Sequence, residues 1–242
     1  MAEDEAGKAV PFHYVGDELK LFEQALNWKR YWSRRVRPYL GRTVIEVGAG
    51  IGANTALLCK GSSGWTAIEP DPVLSHELQS AVAQGRLPPH CRTLTGQLAD
   101  LPVGTGADTV LYIDVLEHIE DDQAEFTLAA SHLRPGGHLV VLSPAHPWLY
   151  SPFDAAVGHH RRYNRASLGR LHHPTLRRVA MAYIDSVGLL ASLANRLVLQ
   201  ARMPTQGQIL TWDRYMVPLS VRLDPLLGGH LGKSILGVWV KQ

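Results

Sequence analysis

The chain has 242 residues, 45% of them hydrophobic, and a formal net charge of +2, which suits one α/β domain with an elaboration and requires no nucleic-acid partner. Its two cysteines, Cys59 and Cys91, fall in no disulfide or zinc spacing, so a reducing cytoplasm is the expected setting and no metal is expected. The acidic start, Met1-Ala2-Glu3-Asp4-Glu5, is unlike a secretory leader, and no run of about 18 apolar residues offers a transmembrane span.

Residues 1–12 read as a loose tail. Leu19, Phe22 and Leu26 recur at helical spacing within 17–40, so residues 1–42 are read as a tail and a lid helix. Thr43–Val47 is a β-branched strand ending in Gly48-Ala49-Gly50-Ile51-Gly52, and that turn opens a helix to about Lys60. Gly64–Glu69 is the second strand, and Asp71 caps the next helix with Pro72 in its first position. Arg92–Thr95 and Ala107–Asp114 follow as strands, then a helix over about 121–133, a turn at Arg134-Pro135-Gly136-Gly137, and a fifth strand at His138–Ser143. The alternation predicts a Rossmann-like α/β domain over 43–242, with a doubly wound, mostly parallel seven-stranded sheet.

Pro144–Asn164 is rich in His, Arg, Tyr and Pro and reads as a functional loop. A helix from about Arg165, a sixth strand near 178–185 and a last strand at Ser234–Lys241 complete the pattern. Between the last two strands, residues 186–232 form a helical cap insertion. Its apolar stretch 187–199 suits a pocket wall, a homodimer contact or a membrane-resting helix, and the scarcity of flanking lysines favours the first two.

The loops after the strands carry the chemistry. Gly48, Gly50 and Ala53 alone would also satisfy a dinucleotide fingerprint. Glu46 argues against a pyrophosphate, because like charges repel at short range, and suits a loop beside an ammonium-bearing ligand. Glu69, 19 residues after Gly50, ends its strand where an acid can accept both hydroxyls of an adenosine ribose. Gln97-Leu98 follows the third strand, where an amide can read an adenine edge. Asp114-Val115-Leu116-Glu117-His118 follows the fourth, facing the crevice of an open α/β sheet. Together they point to an adenosyl cofactor.

These motifs, with Leu133-Arg134-Pro135-Gly136-Gly137, resemble the class I S-adenosylmethionine-dependent methyltransferases over roughly residues 27–143 and the final strand. The resemblance implies that Glu46, Gly48, Ala49, Gly50 and Gly52 surround the methionine part of S-adenosylmethionine. It implies that Glu69 and Pro70 hold the ribose, that Gln97 and Leu98 flank the adenine, and that Asp114 and Val115 close the site. Gln97 departs from the acid common in the family. Tyr14 and Tyr31 are the expected lid contacts, and Trp28 and Trp32 should pack together at i and i+4. The chain lacks the Asn/Asp-Pro-Pro-aromatic motif of nucleic-acid amino-methyltransferases and the Pro-Cys nucleophile of cytosine-C5 enzymes, so direct transfer to a small-molecule acceptor is expected.

The segment from His146-Pro147-Trp148 to Asp154, then Gly158-His159-His160-Arg161-Arg162-Tyr163, resembles a bacterial subgroup related to the quinone O-methyltransferases. A phenol or indole acceptor must lose a proton, and imidazole titrates near neutral pH. His146 and His159 are therefore the leading candidate bases, with Tyr163 a further catalytic candidate. Trp148, Tyr150, Phe153, His118 and His160 are the candidate acceptor-binding residues, by stacking and polar contact. The basic stretches 27–42 and 159–178 read as solvated helix faces. The expected function is methyl transfer to a small aromatic acceptor at oxygen, nitrogen or an electron-rich carbon such as an indole position. The alternatives are a quinone- or lipid-type O-methyltransferase at a membrane surface, and a non-catalytic S-adenosylmethionine-binding module.

Overall fold

The computed structural model describes residues 18–199 and 203–242. Seven strands form one sheet in the order β3-β2-β1-β4-β5-β7-β6. β1 (Thr43–Val47), β2 (Gly64–Glu69), β3 (Cys91–Thr95), β4 (Ala107–Ile113) and β5 (Leu133–Pro144) run parallel. β7 (Ser234–Lys241) is antiparallel to both β5 and β6 (Leu176–Ile184). β1 has β2 on one side and β4 on the other, so the loops leaving β1 and β4 diverge and open a crevice at their carboxyl ends.

Both faces of the sheet are covered, which is why β4 is buried at every position from Ala107 to Ile113. One core joins Val44, Leu111, Val140 and Val238 to Trp32, Leu58 and Trp212. The other joins Ile45, Val110, Tyr112 and Val141 to Phe126, Tyr163 and Trp239. On these faces lie α3 (Ala53–Leu58), α4 (Pro72–Ala83) and α5 (Asp122–His132). Asp71 caps α4 by accepting the N–H groups of Val73 (2.7 Å) and Leu74 (3.0 Å), with Pro72 opening the helix.

Two elements differ from the sequence reading. The single helix expected over 17–40 is α1 (Glu18–Glu23) and α2 (Leu26–Val36), followed by a 3-10 turn at Arg37–Tyr39. The break is made from outside: the Asp213 carboxylate accepts the N–H groups of Asn27 (3.2 Å) and Trp28 (2.8 Å) and so caps α2 afresh. Trp28 has ring contacts with Tyr31 and Trp212, at 6.1 and 5.7 Å, and shares a buried core cluster with Trp32. The expected turn at 134–137 is a bulge inside β5, where Leu133 pairs with Ala107 and His138 already pairs with Thr109.

After β5 the chain makes α6 (Pro152–Ala156) and α7 (Arg165–Arg170) before β6. The insertion between β6 and β7 holds α8 (Ser186–Ala194), a π-helical turn Asn195–Leu199, α9 (Gln206–Thr211), a second π-helical turn Trp212–Met216 and α10 (Val217–Leu223). It docks on α2 through Asp213 and through Asp224, which accepts from the Tyr31 hydroxyl. Among the described residues no helix is long and apolar enough to cross a membrane.

Candidate active site

A cavity of about 1250 Å³ opens at the carboxyl ends of β1 to β4 and runs under the insertion. The β1 turn forms one wall through Gly48, Ala49 and Gly50. Gly48 has φ +67°, and a Cβ there would lie 2.5 Å from Val115 Cγ2, so the β1 and β4 loops close together only around glycine. Gly48→Ala is expected to cost roughly 1–2 kcal/mol of stability, read as a lower melting temperature. Beyond the turn, Glu69 Oε2 accepts from the Gly50 N–H (2.8 Å) and Oε1 from the Asp71 N–H (2.9 Å). Each oxygen keeps a further lone pair, and the side chain lines the cavity with Pro70, Gln97 and Leu98. Burial raises the Glu69 pKa against these two donors.

Asp114 directly follows β4 in a left-handed conformation, φ +54°, and lines the cavity beside Val115. Burial pushes its carboxyl up to about 6, opposed by the charges of Lys233 and His159. One turn on, Glu117 is fully buried. Its Oε2 accepts from Ser143 Oγ (2.9 Å), while Oε1 has no hydrogen-bond partner among the described residues. Burial and the Asp114 charge hold Glu117 well above the ordinary carboxyl range. His118 is pulled down to about 4 by burial and by neighbouring His159.

His159 sits at the centre of this half. Its Nδ1 is 2.8 Å from Asp154 Oδ1, and its Nε2 is 3.9 Å from Glu117 Oε1. Burial favours the neutral acid at Asp154, yet hydrogen bonds from His159 and Arg162 hold it well below the usual carboxylate range. Ser151 also donates to Asp154, through its N–H (2.9 Å) and its hydroxyl (3.0 Å). An ionised carboxylate only accepts, so Nδ1 is the nitrogen that holds its proton toward Asp154, and Nε2 is the ring's other proton-exchanging atom. His118 stacks edge-on at 4.6 Å, and one ligand-type atom each from Glu117, His118 and His159 falls within 4.8 Å of the others. His160 and Phe153 also line this half.

Several expected site residues lie elsewhere. Glu46 is buried behind the glycine turn, accepting from Thr55 Oγ1 (2.6 Å) and Trp65 Nε1 (2.8 Å), so it braces α3 against β2 and does not line the cavity. Gly52 is likewise behind the wall, where a Cβ would meet Leu78 Cδ1 at 2.7 Å. Tyr31 points into the α2–insertion contact, bonded to Asp224 and Arg35. His146, at φ +65°, turns away, with Nε2 2.9 Å from the Gly232 carbonyl and its ring stacked on Tyr183 at 4.7 Å. Tyr163 is buried in the core and donates to Asp122 (2.8 Å). Trp148 is 52% exposed outside the cavity, and Tyr150 spends its hydroxyl on the His159 carbonyl (2.7 Å). Tyr14 lies outside the described residues.

Other residues take their places. Lys233 Nζ lies 3.6 Å from the centre of the Trp212 ring and 3.9 Å from Asp185 Oδ2, inside the cavity. Trp28, Trp32 and Phe22 line it from α1 and α2, and Gly188, Ala191, Ile209 and Trp212 from the insertion. Their placement here depends on which segments meet.

Burial of Glu46 has a measurable consequence. Its carboxyl is pushed from 4.5 up to about 7 by burial, with its two hydrogen bonds opposing. The fold thus favours the protonated acid, so this group's contribution to stability falls as pH rises from about 4.5 to about 7 and is level above. Glu46→Gln keeps an oxygen for both donors and removes the charge. It is expected to stabilise the fold above pH 7 by on the order of 1–3 kcal/mol, read as a higher melting temperature, and to flatten the pH profile.

A family model described as a methyltransferase domain matches residues 22–181. The chain belongs to the class I S-adenosylmethionine-dependent methyltransferases. The cofactor of that family is S-adenosylmethionine. This methyltransferase is 31% identical over 154 residues to the demethylmenaquinone methyltransferase of Tropheryma whipplei (strain Twist), a match spanning 62% of this chain and 59% of that one. Among solved structures it resembles geranyl diphosphate C-methyltransferase from Streptomyces coelicolor A3(2), with TM-score 0.66 at 13% identity, covering 96% of this chain and 91% of that chain. It also resembles the [4+2]-cyclase SpnF, with TM-score 0.61 at 15% identity, covering 88% of this methyltransferase and 81% of the cyclase. Methyltransferase and cyclase share one fold here, so the fold alone does not select the reaction.

Proposed function

We propose that the protein transfers a methyl group to an aromatic acceptor bearing an acidic O–H or ring N–H, at oxygen, nitrogen or an activated ring carbon. The observation carrying this reading is the one continuous cavity, with the glycine turn, Glu69 and Asp114 at one end and the Asp154–His159 pair at the other. The cofactor end fits S-adenosylmethionine: a wall with room only for glycine at position 48, and carboxylates whose charge suits a cationic ligand. Gly48, Ala49 and Gly50 would hold the methionine part, Glu69 and Pro70 the ribose, Gln97 and Leu98 the adenine, with Asp114 and Val115 closing the site. When bound, S-adenosylmethionine supplies an electrophilic methyl group.

The remaining steps belong to the protein. Asp154 fixes the His159 ring with Nε2 toward the cavity, so that Nε2 takes the acceptor's proton. Phe153, His118 and His160 line the acceptor's position, and the insertion forms its far wall. In this reading residues 144–164 are the acceptor loop and 186–232 the cap. Excluding water under the cap and fixing the line of approach supply most of the rate. The quinone-type reading draws on the curated relative, and demethylated quinols are therefore in the test.

That test incubates the purified protein with deuteromethyl S-adenosylmethionine and pooled phenols, indoles and quinols, and reads labelled product by mass spectrometry. A labelled product fixes the acceptor class and, by fragmentation, the methylated atom. Silence with S-adenosylhomocysteine still bound would sink the aromatic reading and favour a binding module. Turnover is expected to survive exhaustive chelation. Loss on chelation, with recovery on adding a divalent ion, would make Glu117, His118 and His159 metal ligands and not bases.

A further inference from the structure

The insertion shows a segregation of charge that the catalytic reading does not use. Its two acids are both buried and internally bonded. Asp213 accepts from the N–H groups of Asn27 and Trp28, and Asp224 from those of Asp185 (2.7 Å) and Ser186 (3.1 Å). Among the described residues of 186–232, the exposed ionisable side chains are therefore Arg196, Arg214, Arg222 and His230, with no exposed acid.

Apolar side chains surround these cations. Tyr215, Leu219 and Leu223 are exposed at steps of four along the second π-helical turn and α10, and Leu226 is exposed in the turn that follows. Trp212, Asp213, Val217, Ser220 and Asp224 are the buried positions of the same run. Leu226 is 82% exposed and Tyr215 59%, while on the neighbouring segment Leu190 is 62% and Leu197 65% exposed. α8 and α10 lie side by side, with the Val187 N–H donating to Ser220 Oγ (3.0 Å). Exposed leucines thus recur on both of two neighbouring helical segments and are not single scattered residues.

We infer that this outer face of the insertion rests on an anionic lipid bilayer. Leucine and tyrosine enter the headgroup boundary, arginines pair with lipid phosphates, and burial of the acids removes the repulsion an anionic surface would meet. The membrane-resting use of 187–199, disfavoured in the sequence for want of lysines, is carried by arginines and by a second helix that the stretch itself does not contain. The same insertion also lines the cavity, through Pro204, Thr205, Gly207 and Gln208, so docking would bring the cavity's cap to the bilayer. Delivery of a membrane-dissolved acceptor rests on the functional reading above. The docking does not.

The test is co-sedimentation of the full-length protein with phosphatidylcholine vesicles, with and without phosphatidylglycerol. Binding is expected only to the anionic vesicles and should weaken with salt. Two double variants, Leu219→Glu with Leu226→Glu and Arg214→Glu with Arg222→Glu, should each lower the bound fraction roughly tenfold or more. Melting temperature and S-adenosylhomocysteine affinity should stay unchanged, because none of the four side chains lines the cavity. Wild-type protein left in the supernatant with both vesicles overturns the proposal. So does a dimer in sedimentation equilibrium that the leucine variant dissolves, which would assign the face to a second copy. Vesicle binding without S-adenosylhomocysteine binding would overturn the methyltransfer reading and leave the docking intact.

Discussion

His159→Gln is expected to lower turnover by roughly 10²–10⁴-fold, the usual range for losing a general base, with S-adenosylhomocysteine affinity unchanged. Glutamine can still donate to Asp154, so the buried carboxylate keeps a partner there besides Arg162 (2.7 Å) and Ser151. The fold should therefore hold, and an unchanged melting temperature separates lost chemistry from lost structure. His146→Ala is the matched control. Its ring packs between Trp148 and Tyr183 away from the cavity, so turnover should survive. Asp154→Asn tests positioning: it leaves the ring in place but removes the charge and can turn an NH2 donor toward Nδ1, so the proton is no longer fixed there and kcat should fall while the acceptor's KM holds. Full turnover in His159→Gln, with loss in Glu117→Gln, would move the base to Glu117.

The two halves of the site differed in how legible they were, for a physical reason. Thr43–Val47, Gly64–Glu69 and Ser234–Lys241 have the bounds expected of them, because the apolar runs are closed by glycine, acid or lysine. The cofactor end is built from loops that directly follow those strands, so adjacency in sequence is adjacency in space. β6 begins two residues earlier than expected, since its first half is exposed at Arg177, Arg178 and Val179 and reads as a polar helix end. The break between α1 and α2 depends on a carboxylate 186 residues from Asn27, which no local pattern reports. His146 and His159 share one segment and one chemistry. What parts them is the left-handed backbone at His146, which sends its ring to Gly232 and Tyr183. Lys233, Trp28 and Trp212 meet only because the insertion folds back over α2.

Glu69→Ala is expected to weaken S-adenosylhomocysteine binding at least about tenfold, or about 1.4 kcal/mol, for loss of a charge-assisted pair with the ribose. The side chain has a second duty, because its oxygens hold the N–H groups of Gly50 and Asp71 and so fix the turn. A structural loss alone would weaken every ligand alike and lower the melting temperature with it. The two duties separate in a cycle of two proteins and two ligands, S-adenosylhomocysteine and its 2′-deoxyribose analogue. Wild-type protein should prefer the natural ligand, while Glu69→Ala should bind both about equally. The lost preference, and not the absolute affinity, measures the contact with the hydroxyl. If instead Glu69→Ala keeps the full preference while both affinities fall, Glu69 serves the turn and the ribose is held by other groups.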